Sequence, residues 1–248
     1  MYKTKTFITS ALLLALVLMF NSVGLACGAN PAQEPASPPV TEPATEPATE
    51  PAEVPSTPPP PTEETPPAST DAVISDNYTT YTDEAQVFSI SYPAGWEAAF
   101  SLIPGLEQNS KDAINKLNSG APLEQYAMIF FGGRRTATAF EPNINITVDP
   151  VTSGTATYKE IIEAEIQAQA SVFPDYQELS RLETTVDGRT ATILNWEGTL
   201  KESKLHFLQM YTLKDNTVWT VTCLSLATDF TEWQNDFNTI ARSLKILK

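Results

Sequence analysis

Short segments in which apolar and polar side chains alternate mark the folded part of the chain, since successive residues of a strand face opposite sides of a sheet. Residues 87–92 (VFSISY) alternate in this way, and Pro-Ala-Gly at 93–95 predicts a turn into a second strand over 96–100. Aromatic and β-branched residues predict two more strands, over 126–131 and 143–148. Several strands are therefore expected before residue 150.

Four longer strands follow as a meander, over 176–186, 189–200, 204–213 and 218–226. Asp187-Gly188 joins the first two and is a strong two-residue hairpin signal, because both residue types tolerate the positive φ of a tight turn. The short sequences at 201–203 and 215–216 predict the next two turns. Strands joined by tight turns are antiparallel neighbours, so these four are expected to lie side by side.

Two helices are predicted by apolar residues at helical spacing. Thr157 and Glu160 form a capping box, in which each side chain binds a free backbone donor, and the helix that they open should reach about Val172. A weaker helix is predicted over 110–117. The last helix carries one apolar stripe, made of Phe230, Trp233, Phe237, Ile240, Ala241 and Leu244. The elements predict an α+β fold, with one central antiparallel sheet of six or seven strands and helices packed on its faces.

Residues 1–26 predict a signal peptide. An apolar run over 7–20 follows two lysines, and it is shorter than the roughly 20 residues of a membrane-spanning helix. Cys27 follows the small residue Ala26, an order that resembles the bacterial lipoprotein signal, in which the cysteine is lipidated and becomes the mature N-terminus. Gly24 departs from that pattern, which has leucine at this position. We therefore expect an extracytoplasmic protein with a lipid anchor on Cys27 in the cell membrane, and plain secretion after cleavage at Ala26 is the alternative.

Residues 27–70 predict a linker that cannot bury a core. The segment holds 14 of the 20 prolines of the chain and seven glutamates, without a base or an aromatic residue. Prolines and like charges favour extended polyproline II backbone at about 3.1 Å per residue, so a semi-stiff spacer is expected. A proline-binding partner for Pro58 to Pro61 is the alternative. Residues 71–248 have the composition of one globular domain, large enough to fold without a disulfide or a metal.

Charge and composition exclude several classes of function. The 248-residue chain carries 30 acids and 15 bases, and no base lies between Lys5 and Lys111, so no surface is basic enough for the phosphates of nucleic acid. Two cysteines and one histidine are too few for a four-ligand zinc site, an iron–sulfur cage or a disulfide framework. The acids never reach the alternating spacing of a calcium loop. No cofactor, metal or nucleic acid is expected.

The order of the elements resembles the PsbP family over about residues 78–247. Its most specific pieces are the Tyr-Pro-x-Gly-Trp opening at 92–96 and the Ser-x-Lys-Ile strand at 243–246, after the last helix. The family is named for an extrinsic subunit of photosystem II and includes many bacterial lipoproteins. The resemblance implies an α/β sandwich with a central antiparallel sheet, used as a non-catalytic binding or assembly module on an extracytoplasmic face. The photosystem contacts of the family do not carry over residue by residue.

An enzyme is the competing hypothesis, and it lacks a nucleophile. His206 is the only histidine, no serine lies in Gly-x-Ser-x-Gly, and no Ser-x-x-Lys supplies a lysine base. His206 is predicted on a strand, beside Leu208 and Met210, as a partly buried or edge residue, and Cys223 is predicted to be a core thiol. Helix starts and solvated faces explain the remaining paired acids, Asp175 with Glu178 and Asp229 with Glu232 and Asp236. No catalytic residue is therefore expected.

One local feature is a candidate ligand site. Residues 132–138 predict a loop or a hairpin, and there Gly132-Gly133 precedes Arg134 and Arg135. Glycine-permitted backbone turns and two guanidinium groups can hold a carboxylate or phosphate, or mark a face turned toward an anionic partner. Solvated loop arginines that pair with nearby acids are the alternative.

These observations predict a membrane-anchored, non-catalytic binding or assembly module with an unidentified protein or envelope partner. A secreted enzyme, or a carrier of an unknown small ligand, is the alternative. The two classes differ at His206. An enzyme should gather this histidine with two or more acids or hydroxyls in a cleft, whereas a binding module should have no deep polar pocket around it.

Overall fold

A computed structural model describes residues 75–135, 140–151 and 156–248, and within them a seven-stranded sheet positions every candidate site. The predicted signal peptide, Cys27, the linker and residues 71–74 lie outside the described residues. The strands of this sheet are β3 (Glu97–Ala98), β4 (Ala127–Arg135), β5 (Phe140–Pro150), β6 (Gln177–Val186), β7 (Arg189–Leu200), β8 (Ser203–Lys214) and β9 (Thr217–Leu226). They lie in the order β3-β4-β5-β9-β8-β7-β6, and each neighbouring pair is antiparallel. The predicted α+β class with a central antiparallel sheet is confirmed.

The meander from β6 to β9 forms as its turn residues predict. Asp187 and Gly188 have φ angles of 52° and 71°, and Asp215 and Asn216 have φ angles of 49° and 59°. Positive φ at both central residues is the turn geometry whose twist matches that of paired strands. The local sequence therefore determines both hairpins, and the register that follows from them places specific side chains in rows across the sheet.

A second, smaller sheet corrects the prediction of a single sheet. Its strands are β1 (Tyr78–Thr82), β2 (Phe88–Pro93) and β10 (Lys245–Ile246), in the order β1-β2-β10. Phe88 and Ile90 of β2 are fully buried, and the Ser243 hydroxyl accepts the backbone N–H of Ser91 at 2.9 Å. Alternation along β2 specifies which side is buried but not which strands pair with it. For this reason the pattern cannot distinguish a second sheet from one more strand of the first.

Three helices pack against the sheets: α1 (Leu106–Ser119), α2 (Tyr158–Ala170) and α3 (Phe230–Arg242). The predicted capping box opens α2, since Glu160 Oε2 accepts the N–H of Thr157 at 2.8 Å and Thr157 Oγ1 accepts the N–H of Glu160 at 3.3 Å. The weaker helix is confirmed as α1 and is longer than predicted. It begins after Gly105 and ends at Gly120, both of which have positive φ.

The predicted strand over 96–100 is mostly wrong. Only Glu97–Ala98 pair with β4, and Phe100–Leu102 form a 3-10 turn that leads into α1. Ala99 and Phe100 pack in a small cluster with Leu106, Met128 and Phe131 instead of forming an extended ladder. These apolar side chains thus pack against α1 and β4. An alternating pattern along the sequence does not predict such contacts.

Of the loop or hairpin predicted over 132–138, the hairpin agrees with the structure, because β4 continues through Gly132 and Gly133 to Arg135 and pairs antiparallel with β5. A Cβ atom on Gly132 would lie 2.7 Å from the Glu97 carbonyl oxygen, and one on Gly133 would lie 2.4 Å from the Pro142 carbonyl oxygen. The two glycines therefore permit close approach of neighbouring backbone rather than a turn. Residues 136–138 of the predicted loop lie outside the described residues.

Both faces of the large sheet carry a hydrophobic core. On the α3 face, helix α3 and the small sheet cover a core that includes Ile144, Val221 and Phe237. On the α2 face, helix α2 covers a second core around Trp196 and Phe207, whose rings stack with centroids 3.8 Å apart. In a sheet that is covered on both sides, a buried polar side chain is costly unless it has a hydrogen-bond partner.

Candidate functional site

β5 presents a row of polar residues to the α2 face. Asn143, Asn145 and Thr147 are each at least 95% buried, and Asp149 continues the row as a half-buried residue. The alternate residues on the α3 face are fully buried and apolar, namely Ile144, Ile146 and Val148. An interior strand with both faces covered is usually apolar on both. The polar row is therefore a departure that requires polar partners.

The neighbouring strands extend this row across the sheet. The strand register forms two lines that each cross β5, β9 and β8, namely Asn145–Thr222–Gln209 and Thr147–Thr220–Tyr211. Helix α2 lies over the ends of both lines and contributes the buried side chain of Gln169. Residues from four separate elements thus converge at one place on the α2 face.

Gln209 is the centre of a buried hydrogen-bond network at this place. Its Oε1 accepts a hydrogen bond from Gln169 Nε2 and another from Trp196 Nε1, each at 2.7 Å. The Tyr211 hydroxyl lies within donating distance of both Gln209 Oε1 (2.8 Å) and Gln169 Oε1 (2.9 Å), and Gln209 Nε2 donates to Thr222 Oγ1 at 3.1 Å. A buried polar group without a partner costs about 1–3 kcal/mol, so this network holds α2 and its side chains in one arrangement.

Beside the network, α2 and the sheet leave a cavity of about 40 Å³ that is open to solvent on one side. We call it the polar cavity. Its lining residues are Tyr126, Thr147, Asp149, Glu165, Ala168, Gln169, Val172, Gln209, Tyr211, Thr220 and Thr222. Since a water molecule needs roughly 10–15 Å³ measured in this way, the cavity has room for about three waters or for one small chemical group.

The polar cavity is acidic and rich in neutral hydrogen-bonding groups. It is lined by two carboxyl groups, Asp149 and Glu165, and by no base among the described residues. Burial raises the pKa of Asp149 to about 6. Burial also raises the pKa of Tyr126 and that of Tyr211, so both phenols are neutral near pH 7.

The Tyr126 hydroxyl is buried and has no hydrogen-bond partner in the described part of the chain. The Thr147 hydroxyl acts to lower the pKa of Tyr126, although its geometry falls short of a hydrogen bond. An unpaired buried hydroxyl is rare in a folded protein, and it calls for a ligand or a water that completes it. The polar cavity therefore has the composition of a small binding site.

His206 lies on the opposite side of the sheet, on the α3 face of β8. Its Nδ1 lies 3.3 Å from Glu197 Oε1, and the register places Ser225 directly across from it, so these three residues form a row over three strands. This row contains the acid and the hydroxyl that an enzyme would gather at the histidine. The sequence predicts a partly buried or edge histidine, and the structure places His206 buried on β8, inside the sheet.

The contacts of this row differ from those of a catalytic triad. The Ser225 hydroxyl donates to the carbonyl oxygen of Leu226 at 3.0 Å, and His206 Nε2 is buried without a partner among the described residues. The Phe230 ring stacks on the imidazole, with centroids 3.3 Å apart. Burial lowers the pKa of His206, against the opposing effect of Glu197. A triad needs the serine–histidine hydrogen bond to activate its nucleophile, and that bond is not formed here.

Cys223 is a core residue, as the sequence predicts. It is fully buried, its thiol lies 3.9 Å from the carbonyl oxygen of Phe237, and burial raises the pKa of the thiol. A thiol in this state is a poor nucleophile. In residues 75–135, 140–151 and 156–248 no group of three or more His, Cys, Asp or Glu side chains is placed to hold a metal ion.

Four of the five paired acids that the sequence suggests have a structural contact. Asp175 accepts the backbone N–H of Thr199 at 2.9 Å, and Glu178 binds Arg181 at 2.7 Å. The other contacts are those of Asp229 with the Thr228 hydroxyl at 2.8 Å and of Asp236 with the Tyr78 hydroxyl at 2.5 Å. Asp229 thus belongs to the start of α3, whereas Glu178 lies on β6 and Asp236 ties the middle of α3 to β1.

Arg134 and Arg135 lie at the end of β4 and have different partners. The Arg134 guanidinium lies over the Trp233 ring, 4.5 Å from its centroid, and Trp233 in turn packs edge-on against Trp96. Arg135 Nη1 lies 3.9 Å from Glu97 Oε2. Both arginines are exposed. The structure therefore brings Arg134 to an aromatic surface and Arg135 to an acid, and it does not aim the pair at one point.

None of the residues of the polar cavity is among the sequence-predicted candidates. A signal is nevertheless present in the sequence, since Asn143-x-Asn145-x-Thr147-x-Asp149 alternates strictly with Ile, Ile and Val. That pattern predicts a strand with one polar face, which usually means a face in solvent. Only the position of β5 inside a covered sheet converts the pattern into a buried site.

Comparisons with known proteins place this domain in a family. Three solved structures of similar fold are the solution structure of cyanobacterial PsbP (CyanoP) from Synechocystis sp. PCC 6803, the crystal structure of LpqN, involved in cell envelope biogenesis of Mycobacterium tuberculosis, and the type VI secretion immunity protein TplEi of Pseudomonas aeruginosa in complex with an "L" peptide. Their sequence identities are 13%, 9% and 9%, and their TM-scores are 0.48, 0.45 and 0.41. The matches cover 72%, 69% and 69% of this chain and 97%, 91% and 99% of those chains.

No curated protein matches the sequence. Among the described residues, no helix combines the length and the apolar character needed to cross a bilayer. The family model described as PsbP matches residues 76–246, almost the range over which the sequence resembles that family. With its central antiparallel sheet and its flanking helices, the chain belongs to the PsbP family.

Proposed function

We propose that this protein is a bacterial lipoprotein that holds a non-catalytic PsbP-type binding domain outside the cytoplasm. Lipid on Cys27 anchors it to the membrane, and residues 28–70 act as the spacer between anchor and domain. The match over residues 76–246 supports the domain assignment. The order of an apolar run, Ala26 and Cys27, followed by a proline-rich segment, supports the anchor.

The observation that carries the binding function is the polar cavity. Its side chains are held by a hydrogen-bond network around Gln209, while the Tyr126 hydroxyl at its wall has no partner in the part of the chain that the structure describes. A site of this kind offers fixed hydrogen-bonding groups to a ligand at little cost in ordering. It offers no activated nucleophile among the described residues. Tyr126 and Tyr211 are neutral phenols, and the network beside them is built on the side-chain amides of Gln169 and Gln209.

An enzyme remains the second candidate, and the row of Glu197, His206 and Ser225 is the observation that favours it. The row would have to open by movement of Phe230 and by rotation of the Ser225 hydroxyl before it could act on a substrate. The two functions use opposite faces of the sheet, so variants separate them cleanly.

The binding function is tested by filling the cavity. Ala168 lines it from α2, whereas the neighbouring Gln167 is exposed, so Ala168→Phe should close the cavity and Gln167→Phe is the matched control. We expect small polar molecules extracted from the cell envelope to raise the melting temperature of the mature chain and of the control, but not of Ala168→Phe. Mass spectrometry should recover the ligand unchanged. Chemical conversion that depends on His206 would show an enzyme instead.

The anchor is tested in the cell. Cys27→Ala removes the only thiol that could take lipid after signal removal, so the variant should appear in the soluble fraction or accumulate with its signal peptide uncleaved. Cys223→Ala, at the buried thiol, is the control and should fractionate as the natural protein does. Membrane fractionation and processing of Cys27→Ala identical to those of the natural chain would rule out lipidation at Cys27.

A further inference from the structure

We propose that the polar cavity binds a primary ammonium group, R–NH₃⁺, carried by a small amine or by a lysine side chain. The inference rests on the proposed binding function and names the chemistry of its ligand. It follows from the charge of the cavity, from the kind of hydrogen-bonding groups that it presents and from its size.

Charge favours a cation. Asp149 and Glu165 line the cavity, and no lysine, arginine or histidine does so among the described residues. Arg181, a base on the same face of the sheet, is held by Glu163 at 2.5 Å and by Glu178 at 2.7 Å. None of the ion pairs of the described residues involves Asp149. A half-buried carboxylate without a base gains most from a ligand that brings a positive charge.

The hydrogen-bonding groups favour an ammonium over other cations. An –NH₃⁺ group has three donors and no acceptor, and it needs three oxygen acceptors around it. The cavity offers the Asp149 carboxylate and the hydroxyl oxygens of Tyr126, Thr147 and Thr220. The Tyr126 oxygen has no partner in residues 75–135, 140–151 and 156–248, so it is available to accept.

Size restricts what enters. The volume of about 40 Å³ suits an ammonium head with one or two carbons, and not a whole sugar or nucleotide. The rest of a larger ligand would extend through the open side into solvent. A free alkylamine and a lysine side chain share this head, and they differ in what lies outside the cavity.

Titration of the mature chain, purified in detergent, tests the inference. Methylammonium, n-butylammonium and Nα-acetyl-lysine methylamide are the probes, and tetramethylammonium and acetate are the controls for shape and for charge. We expect saturable chemical-shift changes at α2 and β5 for the primary ammonium probes, with dissociation constants on the order of 1 mM, and none for the two controls. If the lysine derivative binds more tightly than n-butylammonium, the natural ammonium group belongs to a lysine side chain of a peptide. If n-butylammonium binds more tightly, it belongs to a free amine.

Two variants locate the binding. Asp149→Asn should weaken n-butylammonium about tenfold by removing the charge, and Tyr126→Phe should weaken it severalfold by removing one acceptor. Asp76→Asn makes the same change of net charge at an exposed site and should leave the affinity as it is. The melting temperature of each variant shows that it is folded. Equal affinities of the natural chain and Asp149→Asn would overturn the inference.

Binding should also weaken as pH falls from 7.5 to 5, because Asp149 has a pKa raised to about 6 and becomes neutral in that range. The groups that face it in the cavity are Glu165 from α2, Tyr126 and Tyr211, and the two phenols stay protonated throughout. Two results together would refute the ammonium inference and leave the binding function standing. The natural chain would not respond to the ammonium probes, and it would bind a ligand of another class that Ala168→Phe no longer binds.

Discussion

At the scale of single residues, Asp149 combines two roles that oppose each other. It gives the polar cavity its charge, and its burial without a base makes the folded state less favourable near neutral pH. Burial raises its pKa from 3.8 to about 6, so folding favours the protonated form. The preference of the folded state for protonated Asp149 stabilises the protein fully below pH 3.8, the pKa of this group in the unfolded chain. This stabilisation is lost as pH rises through about 6.

This sign leads to a prediction for Asp149→Asn. At pH 7 the variant should be more stable than the natural chain by about 1 kcal/mol, once partial exposure of the carboxyl is allowed for. At pH 3 the two should be equally stable, because the natural side chain is then largely neutral in both the folded and the unfolded chain. Urea unfolding at several pH values measures the difference between the two chains, and Asp76→Asn is the control. A difference that does not change with pH would show that Asp149 is not the group that titrates.

The residue scale is also where sequence prediction was least complete. Cys223 and His206 are buried as predicted, because alternation along their strands assigns each to a covered face. The cavity residues escaped prediction because Tyr126, Asp149 and Gln209 lie far apart in the chain and meet only through the register of three strands with α2. The sequence predicts Arg134 as a ligand residue in a loop or hairpin, whereas the structure places it within β4, over the Trp233 ring.

At the scale of elements, α3 shows how far an apolar stripe determines packing. Of the predicted stripe, Phe230, Phe237, Ile240 and Ala241 are buried on α3 and Leu244 is buried just beyond its end, whereas Trp233 is half-buried at the rim, between Trp96 and Arg134. Helical spacing predicts the direction of a side chain but not how far the opposing surface extends. The predicted stripe therefore identifies the buried face of α3 correctly, but it does not distinguish the half-buried Trp233 from the fully buried Phe237.

A graded loss of stability along α3 follows from this difference. Phe237→Ala should lower the free energy of unfolding by about 3–5 kcal/mol, because the side chain is fully buried. Trp233→Ala should cost about 1–2 kcal/mol, and Gln234→Ala, on the exposed side of the same helix, less than about 0.5 kcal/mol. Chemical denaturation of the three variants measures the order. Equal losses for Trp233→Ala and Phe237→Ala would contradict the rim position of Trp233.

Elements whose signals are local were predicted well. The hairpin at Asp187-Gly188, the capping box of α2 and the strands of the meander depend on residues next to one another in the chain. The pattern does not predict the second sheet, because β10 comes from the opposite end of the domain to β1 and β2. Gly132 and Gly133 were misread because glycine serves both turns and close backbone contacts, and only the position of β3 and β5 decides between them.

At the scale of the whole molecule, the acidic linker and the domain are expected to act independently. The linker has no apolar residue larger than valine and no base with which the acids of the domain could pair. Residues 28–70 would span up to roughly 130 Å as extended polyproline II. Such a spacer lets the polar cavity reach ligands at a distance from the membrane without changing the cavity itself.

Deletion of residues 28–70 with Cys27 retained tests this independence. Without a hydrophobic core in the deleted segment, the melting temperature of the domain should stay within about 1–2 °C of that of the mature chain, since each kcal/mol of stability corresponds to about 2–4 °C in a domain of this size. The affinity for n-butylammonium should also be unchanged, and the protein should remain in the membrane fraction. A matched chain in which the seven linker glutamates are replaced by glutamine separates length from charge. If the deletion lowers the melting temperature by 5 °C or more while the glutamine chain does not, the linker packs on the domain, and the spacer function is wrong.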